Sequence, residues 1–290
     1  MNMPRRAILF WYYCNPELCA SRLRQLVRLN PGVPLFGLYG GTSADAPRFK
    51  EAESLLDDCW HFDETRDTEW KWRHGDQMLS RWFERRGAGL EWDSVVVVQW
   101  DVLALAPLAR IFADLAPRDV YLPGLRPLAP LRDRWWWTRP GTPQGDDYLA
   151  FVQHMAEHHA YTGPFEACQF LAAVLPRGFM AAYAQVAAPE PGFLEYKLPA
   201  FARALGFNLP SLPTLRVAWP GEAQHQRIVL TAAKRDIPDL DIAAELLTPG
   251  GARLFHPVTR PMPESARAWA GFVARRLPRL ATNTVRSLHA

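Results

Sequence analysis

Val95-Val96-Val97-Val98-Gln99-Trp100-Asp101-Val102-Leu103 is the stretch that decides the fold class. Its β-branched apolar run predicts a strand buried on both faces, as in the middle of a parallel sheet. The run closes on a single carboxylate, Asp101. In open α/β sheets ligands bind outside the carboxyl ends of the strands. An Asp at that place can hold a divalent cation against a phosphate. The alternative is a capping Asp that starts the helix after Ala106-Pro107. Position alone leaves both open.

Working back from this strand, Ala7 to Tyr13 predicts a first strand, which Asn15-Pro16 breaks. Glu17 to Leu29 carries helical spacing through Leu18, Leu23, Leu26 and Val27. Val33 to Tyr39 predicts a second strand, closed by Gly40-Gly41-Thr42. The result is a βαβ unit with parallel strands and a right-handed crossover. Neither G-x-G-x-x-G nor GxxxxGK[ST] is present, which argues against dinucleotide and P-loop sites. Pro47 to Leu56 predicts a short helix and Asp58 to Asp63 a third strand. Trp70-Lys71-Trp72-Arg73-His74-Gly75-Asp76 is a dense aromatic and polar cluster. It leads into a helix carrying Met78, Leu79, Trp82 and Phe83.

Working forward, helices are expected at Leu108 to Leu115, Asp147 to His158, Phe165 to Leu175, Glu195 to Leu205 and Ala266 to Leu280, with Ala182 to Gln185 also helical. Short strands are expected at Val120 to Leu125, Leu215 to Trp219, Arg227 to Thr231 and Leu254 to Val258. Arg132 to Pro143 is a long loop holding three adjacent Trp, and long loops in compact domains are usually functional or disordered. Stacking on a sugar ring or lipid, and a packed core corner, are both open for it. The pattern predicts an α/β fold: a mostly parallel central sheet flanked by helices in one large domain. Its first half is 1–126 and its second 127–290.

The 290 residues are 49% apolar, enough for a full core. The net charge of +3 is too small to imply nucleic acid. Cys14, Cys19, Cys59 and Cys168 form no CxxC pair, and predict reduced thiols in a cytoplasmic protein. Ala7 to Tyr13 is too short to span a membrane.

These features in order are a βαβ start with aromatics at the strand end, a Trp/Asp cluster before a helix, a buried strand ending in Trp100-Asp101, and a late His256-Pro257. The order resembles that of the GT-A glycosyltransferases, which bind a nucleotide sugar through a divalent metal. Their central strand ends in a DxD-type motif. Gln99-Trp100-Asp101 matches its last position, with Gln99 in place of the first Asp. The resemblance covers residues 7 to 126 and extends loosely to His256. It implies a Rossmann-like GT-A fold, a UDP- or GDP-sugar donor, and Mn²⁺ or Mg²⁺ as cofactor. Asp101 would hold the metal, and His256 stands where many members supply a further ligand; a plain turn histidine is the other possibility. His158-His159 is a competing pair on a helix end. Trp11, Tyr12 and Tyr13 lie where the family stacks the base and binds ribose. Strand alternation lets only one or two of them face the site. Asp76 stands where a carboxylate could bind ribose or sugar, or serves as an ordinary helix-start carboxylate.

An inverting transferase needs a base for the acceptor hydroxyl. Glu195, before the acceptor-side helix, and Glu166 are the candidates. The expected activity is sugar transfer to a glycan, lipid-linked or other hydroxyl acceptor. Two alternatives stand beside it. One is a fold of this kind that binds a nucleotide or glycan without turnover. The other is a non-catalytic partner in surface polysaccharide synthesis, docked at the inner face of the membrane through the Arg-rich C-terminal helix.

Overall fold

The computed structural model describes residues 5–62, 66–186, 191–219, 227–232 and 235–278. β1 (Arg6–Tyr12) is followed by α1 (Pro16–Leu29), whose first turn is capped by the Asn15 side chain accepting from the Leu18 N–H. β2 (Leu35–Tyr39), α2 (Lys50–Glu53) and β3 (Asp58–His61) come next. α3 (Thr68–Arg73) and α4 (Gly75–Arg85) precede β4 (Ser94–Gln99), which holds the four valines. Asp63, the expected end of the third strand, lies outside the described residues.

After β4 the chain forms β5 (Leu103–Ala104), α5 (Leu108–Ile111), β6 (Arg126–Pro127), α6 (Pro143–His159), β7 (Glu166–Ala167) and β8 (Ala172–Pro176). Then come α7 (Arg177–Gln185), α8 (Leu194–Ala204), β9 (Val217–Ala218) and β10 (Leu230–Thr231). α9 (Asp239–Leu247), β11 (Leu254–Phe255) and α10 (Ala266–Ala274) complete the described elements.

The main sheet has the order β3-β2-β1-β4-β8. β1 pairs in parallel with both β2 and β4, with Ile8 opposite Leu35 on one side and Val96 on the other. β2 pairs in parallel with β3, while β8 runs antiparallel to β4. Single bridges from Tyr121 to Val174 and from Asp119 to Asn208 carry the pairing further outward.

Alternation splits the interior strands between two cores. Leu9, Trp11, Val95 and Val97 face α4, α6, α7 and α8 through residues such as Trp82, Phe151 and Phe201. Ile8, Phe10, Val96 and Val98 face α1, α9 and the β5–β11 pair through Leu23, Ile242 and Phe255. Val95 to Val98 are all buried, as expected for a strand covered on both faces.

One expected helix is a strand. Residues 165–175 hold β7 and β8, and Pro176 ends the latter. A short apolar run fits a buried strand as well as a buried helix, and only the vacant side of β4 decides between them. The helix expected at 108–115 is the single turn of α5, and that expected at 266–280 is described over Ala266–Ala274. No helix among the described residues is long and apolar enough to cross a membrane.

Candidate active site

The sheet order reverses beside β1. The chain moves outward through β2 and β3, then returns to place β4 on the other flank. A cavity of about 310 Å³ opens at the carboxyl ends of these strands. Crevices at such reversal points are where α/β sheets bind ligands.

Trp11, Tyr13, Lys71, Trp72 and Gln99 line this cavity. The Trp11 ring fits because residue 75 is glycine: a Cβ there would lie 2.0 Å from the ring. Its other side meets Phe170 edge-on at 5.9 Å. Tyr13 is half exposed and packs edge-on against Trp100 at 6.0 Å. The backbone N–H of Trp100 donates to the Trp11 carbonyl and extends the β1–β4 ladder. Tyr12 points to the opposite face. It is fully buried, and its hydroxyl donates to Glu53 at 2.8 Å, so it takes no part in the cavity. Alternation along β1 imposes this.

Lys71 and Trp72 belong to the 70–76 cluster, but their spacing alone assigned them no role. Lys71 is buried, donates to the Gly41 carbonyl at 2.8 Å and sits over the Phe62 ring. It puts a positive charge in the cavity wall. Trp72 is exposed and meets Trp137 edge-on at 5.2 Å. Trp137 in turn stacks on Phe193 at 4.2 Å, so the tryptophan loop is a packed corner with Trp136 left exposed. Glu69, exposed, is the carboxylate lining the cavity among the described residues.

Asp101 follows the end of β4, and the antiparallel β5–β11 pair, with Leu103 opposite Phe255, brings His256 to it. The Val258 N–H donates to the Asp101 carbonyl at 2.8 Å. His256 Nε2 lies 3.2 Å from Asp101 Oδ1, and both side chains are largely buried. His256 Nδ1 stands 2.7 Å from the Thr231 carbonyl oxygen, which can only accept. That contact assigns the proton of a neutral ring to Nδ1 and leaves Nε2 with a lone pair. Asp101 Oδ1 is buried without a hydrogen-bond partner. With a neutral ring, two electron-pair donors face one another across 3.2 Å. A divalent cation with ligand bonds of about 2.1 Å and a near-right angle between them would fit such a pair. His158 and His159, the competing pair, lie in the last turn of α6, where His159 rests on Phe201.

Buried Arg22 on α1 stands behind the pair. Its Nη2 donates to the carbonyls of Val258 and Arg260 at 2.8 and 3.0 Å, fixing the segment after His256. Burial lowers its guanidinium to about 10, and the charge of Asp101 opposes that shift. Neither Asp101 nor His256 lines the cavity; Asp101 follows Trp100, whose ring packs against the lining residue Tyr13.

The remaining expected residues are placed differently. Gln99 lines the cavity, but its Nε2 donates to the Phe170 carbonyl at 2.7 Å. Asp76 is fully buried: Lys197 Nζ lies 2.7 Å away, and the Tyr183 hydroxyl donates to it at 2.6 Å. It joins α4 to α8 and offers no open carboxylate to ribose. Glu166 pairs with Arg203 at 2.8 Å and does not line the cavity. Glu195 is buried and accepts from the Phe170 N–H at 2.7 Å. One residue, Phe170, therefore separates it from Gln99 in the cavity, which Glu195 itself does not line. Burial pushes its carboxyl up to about 8, with the Phe170 N–H acting against the shift.

No family model matches the chain, and no curated protein matches it. Among solved structures it is similar to the apo form of WbbM, a bifunctional glycosyltransferase, at 11% identity and a TM-score of 0.43. That likeness covers 76% of this chain and 41% of the WbbM chain, so this protein spans less than half of that one.

Proposed function

We propose that the protein is a glycosyltransferase of GT-A type that moves a sugar from a nucleotide-sugar donor to a hydroxyl acceptor. The observation that carries this reading is the Asp101–His256 pair, beside a strand-end cavity walled by Trp11, Tyr13 and Lys71. The aromatic walls suit a base and ribose, and the Lys71 ammonium suits phosphate oxygens. Mn²⁺ or Mg²⁺ would be held by Asp101 and His256, with the imidazole favouring Mn²⁺. When bound, such an ion neutralises charge on a diphosphate leaving group.

This chain's own residues supply the rest. Lys71 orients the diphosphate, and Trp11 excludes water from the cavity floor. Exposed Trp72 and Trp136 offer flat apolar faces to an acceptor sugar, which favours a glycan or lipid-linked glycan acceptor. Glu195, held at the Phe170 peptide, is the proposed base for the acceptor hydroxyl, and rim residue Glu69 is its competitor.

One observation favours the second reading, binding without turnover. Gln99 replaces a carboxylate and spends its amide on Phe170. The deciding experiment is calorimetric titration with UDP and GDP, with and without Mn²⁺, followed by release of nucleoside diphosphate from the matching sugar donor. Mn²⁺-dependent binding with acceptor-dependent release supports transfer. Binding without release supports the second reading, and no binding of either nucleotide overturns both.

A further inference from the structure

On the sheet face opposite Trp11, a second group of metal-ligating atoms converges. Cys59 and His61 stand two apart on β3, so alternation turns both to one side. Glu53, at the end of α2, reaches the same place. Cys59 Sγ, His61 Nε2 and Glu53 Oε1 all lie within 4.8 Å of one another. The His61–Glu53 contact is 2.9 Å. The Tyr12 hydroxyl sits between the other two, 2.8 Å from Glu53 Oε1 and 3.1 Å from Cys59 Sγ.

We propose that Glu53, Cys59 and His61 form a cation site for a zinc-like, borderline-soft ion at the β3 edge of the sheet. The donor set carries the assignment. One thiolate, one imidazole and one carboxylate is a zinc-type combination, whereas hard ions such as Mg²⁺ prefer oxygen alone. Tetrahedral zinc places its ligand atoms about 3.3–3.8 Å apart, given its usual bond lengths. The His61–Glu53 contact is a little shorter than that range and no separation in the group exceeds 4.8 Å, so closure onto an ion needs shifts of about an ångström or less. His61 is 41% exposed on its side chain, which leaves a solvent path for the ion and a fourth position for water. The Tyr12 hydroxyl, donating to Glu53 and touching Cys59 Sγ, holds these two side chains beside one another.

On binding, the thiol proton of Cys59 passes to solvent and an S–metal bond forms. Nε2 of His61 gives its lone pair to the ion, with the ring proton on Nδ1. No oxidation takes place. The bound ion would pin β3, the outermost strand on that side among the described residues, to α2 as a local cross-link. The site shares no ligand with the Asp101–His256 pair, so it stands or falls apart from the proposed transfer activity.

The test uses the full chain carrying Asp101→Ala, which removes the other cation pair, titrated with Co²⁺ as the probe. The expected result is one equivalent bound, with thiolate-to-cobalt charge-transfer absorption in the near ultraviolet. Zn²⁺ should displace the Co²⁺ and abolish the band. Cys59→Ser should abolish the band, and His61→Gln should weaken Co²⁺ binding at least about tenfold. Absence of the band at saturating Co²⁺, in a protein with unchanged circular dichroism, overturns the proposal. So does a band that survives Cys59→Ser, which would assign it to another thiol. Should Cys59→Ser fail to fold, His61→Gln decides: unchanged affinity overturns the site.

Discussion

Asp101 Oδ1 and His256 Nε2 belong to neither core cluster, yet they face one another at 3.2 Å. Asp101→Ala should therefore leave the circular dichroism spectrum unchanged while weakening Mn²⁺-dependent nucleotide affinity at least about tenfold. His256→Ala should act in the same direction. The double variant should lose less than the sum, because either single change already breaks the shared site. Unchanged affinity in both single variants, with and without Mn²⁺, would remove the metal role. Glu195 yields a second prediction. Glu195→Gln should cost roughly 10²- to 10⁴-fold in turnover with donor affinity kept, and Glu69→Gln is the necessary control. With the folded carboxyl near 8, the basic form of Glu195 accumulates only as pH rises through that value. Turnover should climb over the same range. Stability moves the other way. A carboxyl whose folded pKa lies above its unfolded value stabilises the fold most at low pH. That contribution falls away as pH rises from about 4.5 through about 8. Glu195→Gln should flatten this part of the stability profile in denaturant titrations at several pH values.

At the scale of elements, the start of α4 is shaped by the ring it must clear. A Cβ at position 75 would overlap the Trp11 ring, and Trp11 is wedged against Phe170 on its other side. Gly75→Ala should therefore lower stability by about 1–3 kcal/mol and narrow the cavity. A drop in Tm accompanied by weaker nucleotide binding is the expected result; an unchanged Tm would mean that the ring has room to move. The same elements explain what could be read before the structure. β1, α1, β2, β3 and β4 were legible because each carries its own periodicity and its own breaker, such as Asn15-Pro16 or Gly40-Gly41. β8 was not, because Ala172 to Leu175 is too short and too uniformly apolar to show a period. Asp101 and His256 were legible as separate candidates, but their meeting depends on the two-residue β5–β11 pairing, which leaves no local signal. Asp76 shows the opposite case. Its helix-start position was plain, while the buried Lys197 that claims it sits far along the chain. Lys71 and Trp72 lay in a conspicuous cluster, and only the contacts made by each side chain distinguish them from their neighbours.

Across the whole molecule, one sheet separates two cores, and β1 and β4 contribute alternate side chains to both. Neither core can loosen without exposing these strands, so a single cooperative unfolding transition is expected by fluorescence and circular dichroism alike. β8 adds a further link, since it closes the sheet with residues that follow the first four strands by a long interval. The pairing of Leu103 with Phe255 has a consequence in time. More than half of the chain separates these two partners, and closing so long a loop is slow compared with forming the βαβ unit. A ribosome-bound chain that has released residues 1–105 already owns Asp101 and the walls of the cavity, but not His256. On the proposed reading, the nascent protein would be inert toward a metal-held ligand until its later segments emerge. Refolding from denaturant should show the same order, with tryptophan fluorescence recovering before Mn²⁺-dependent nucleotide binding. Simultaneous recovery of the two signals would mean that the pair closes together with the sheet.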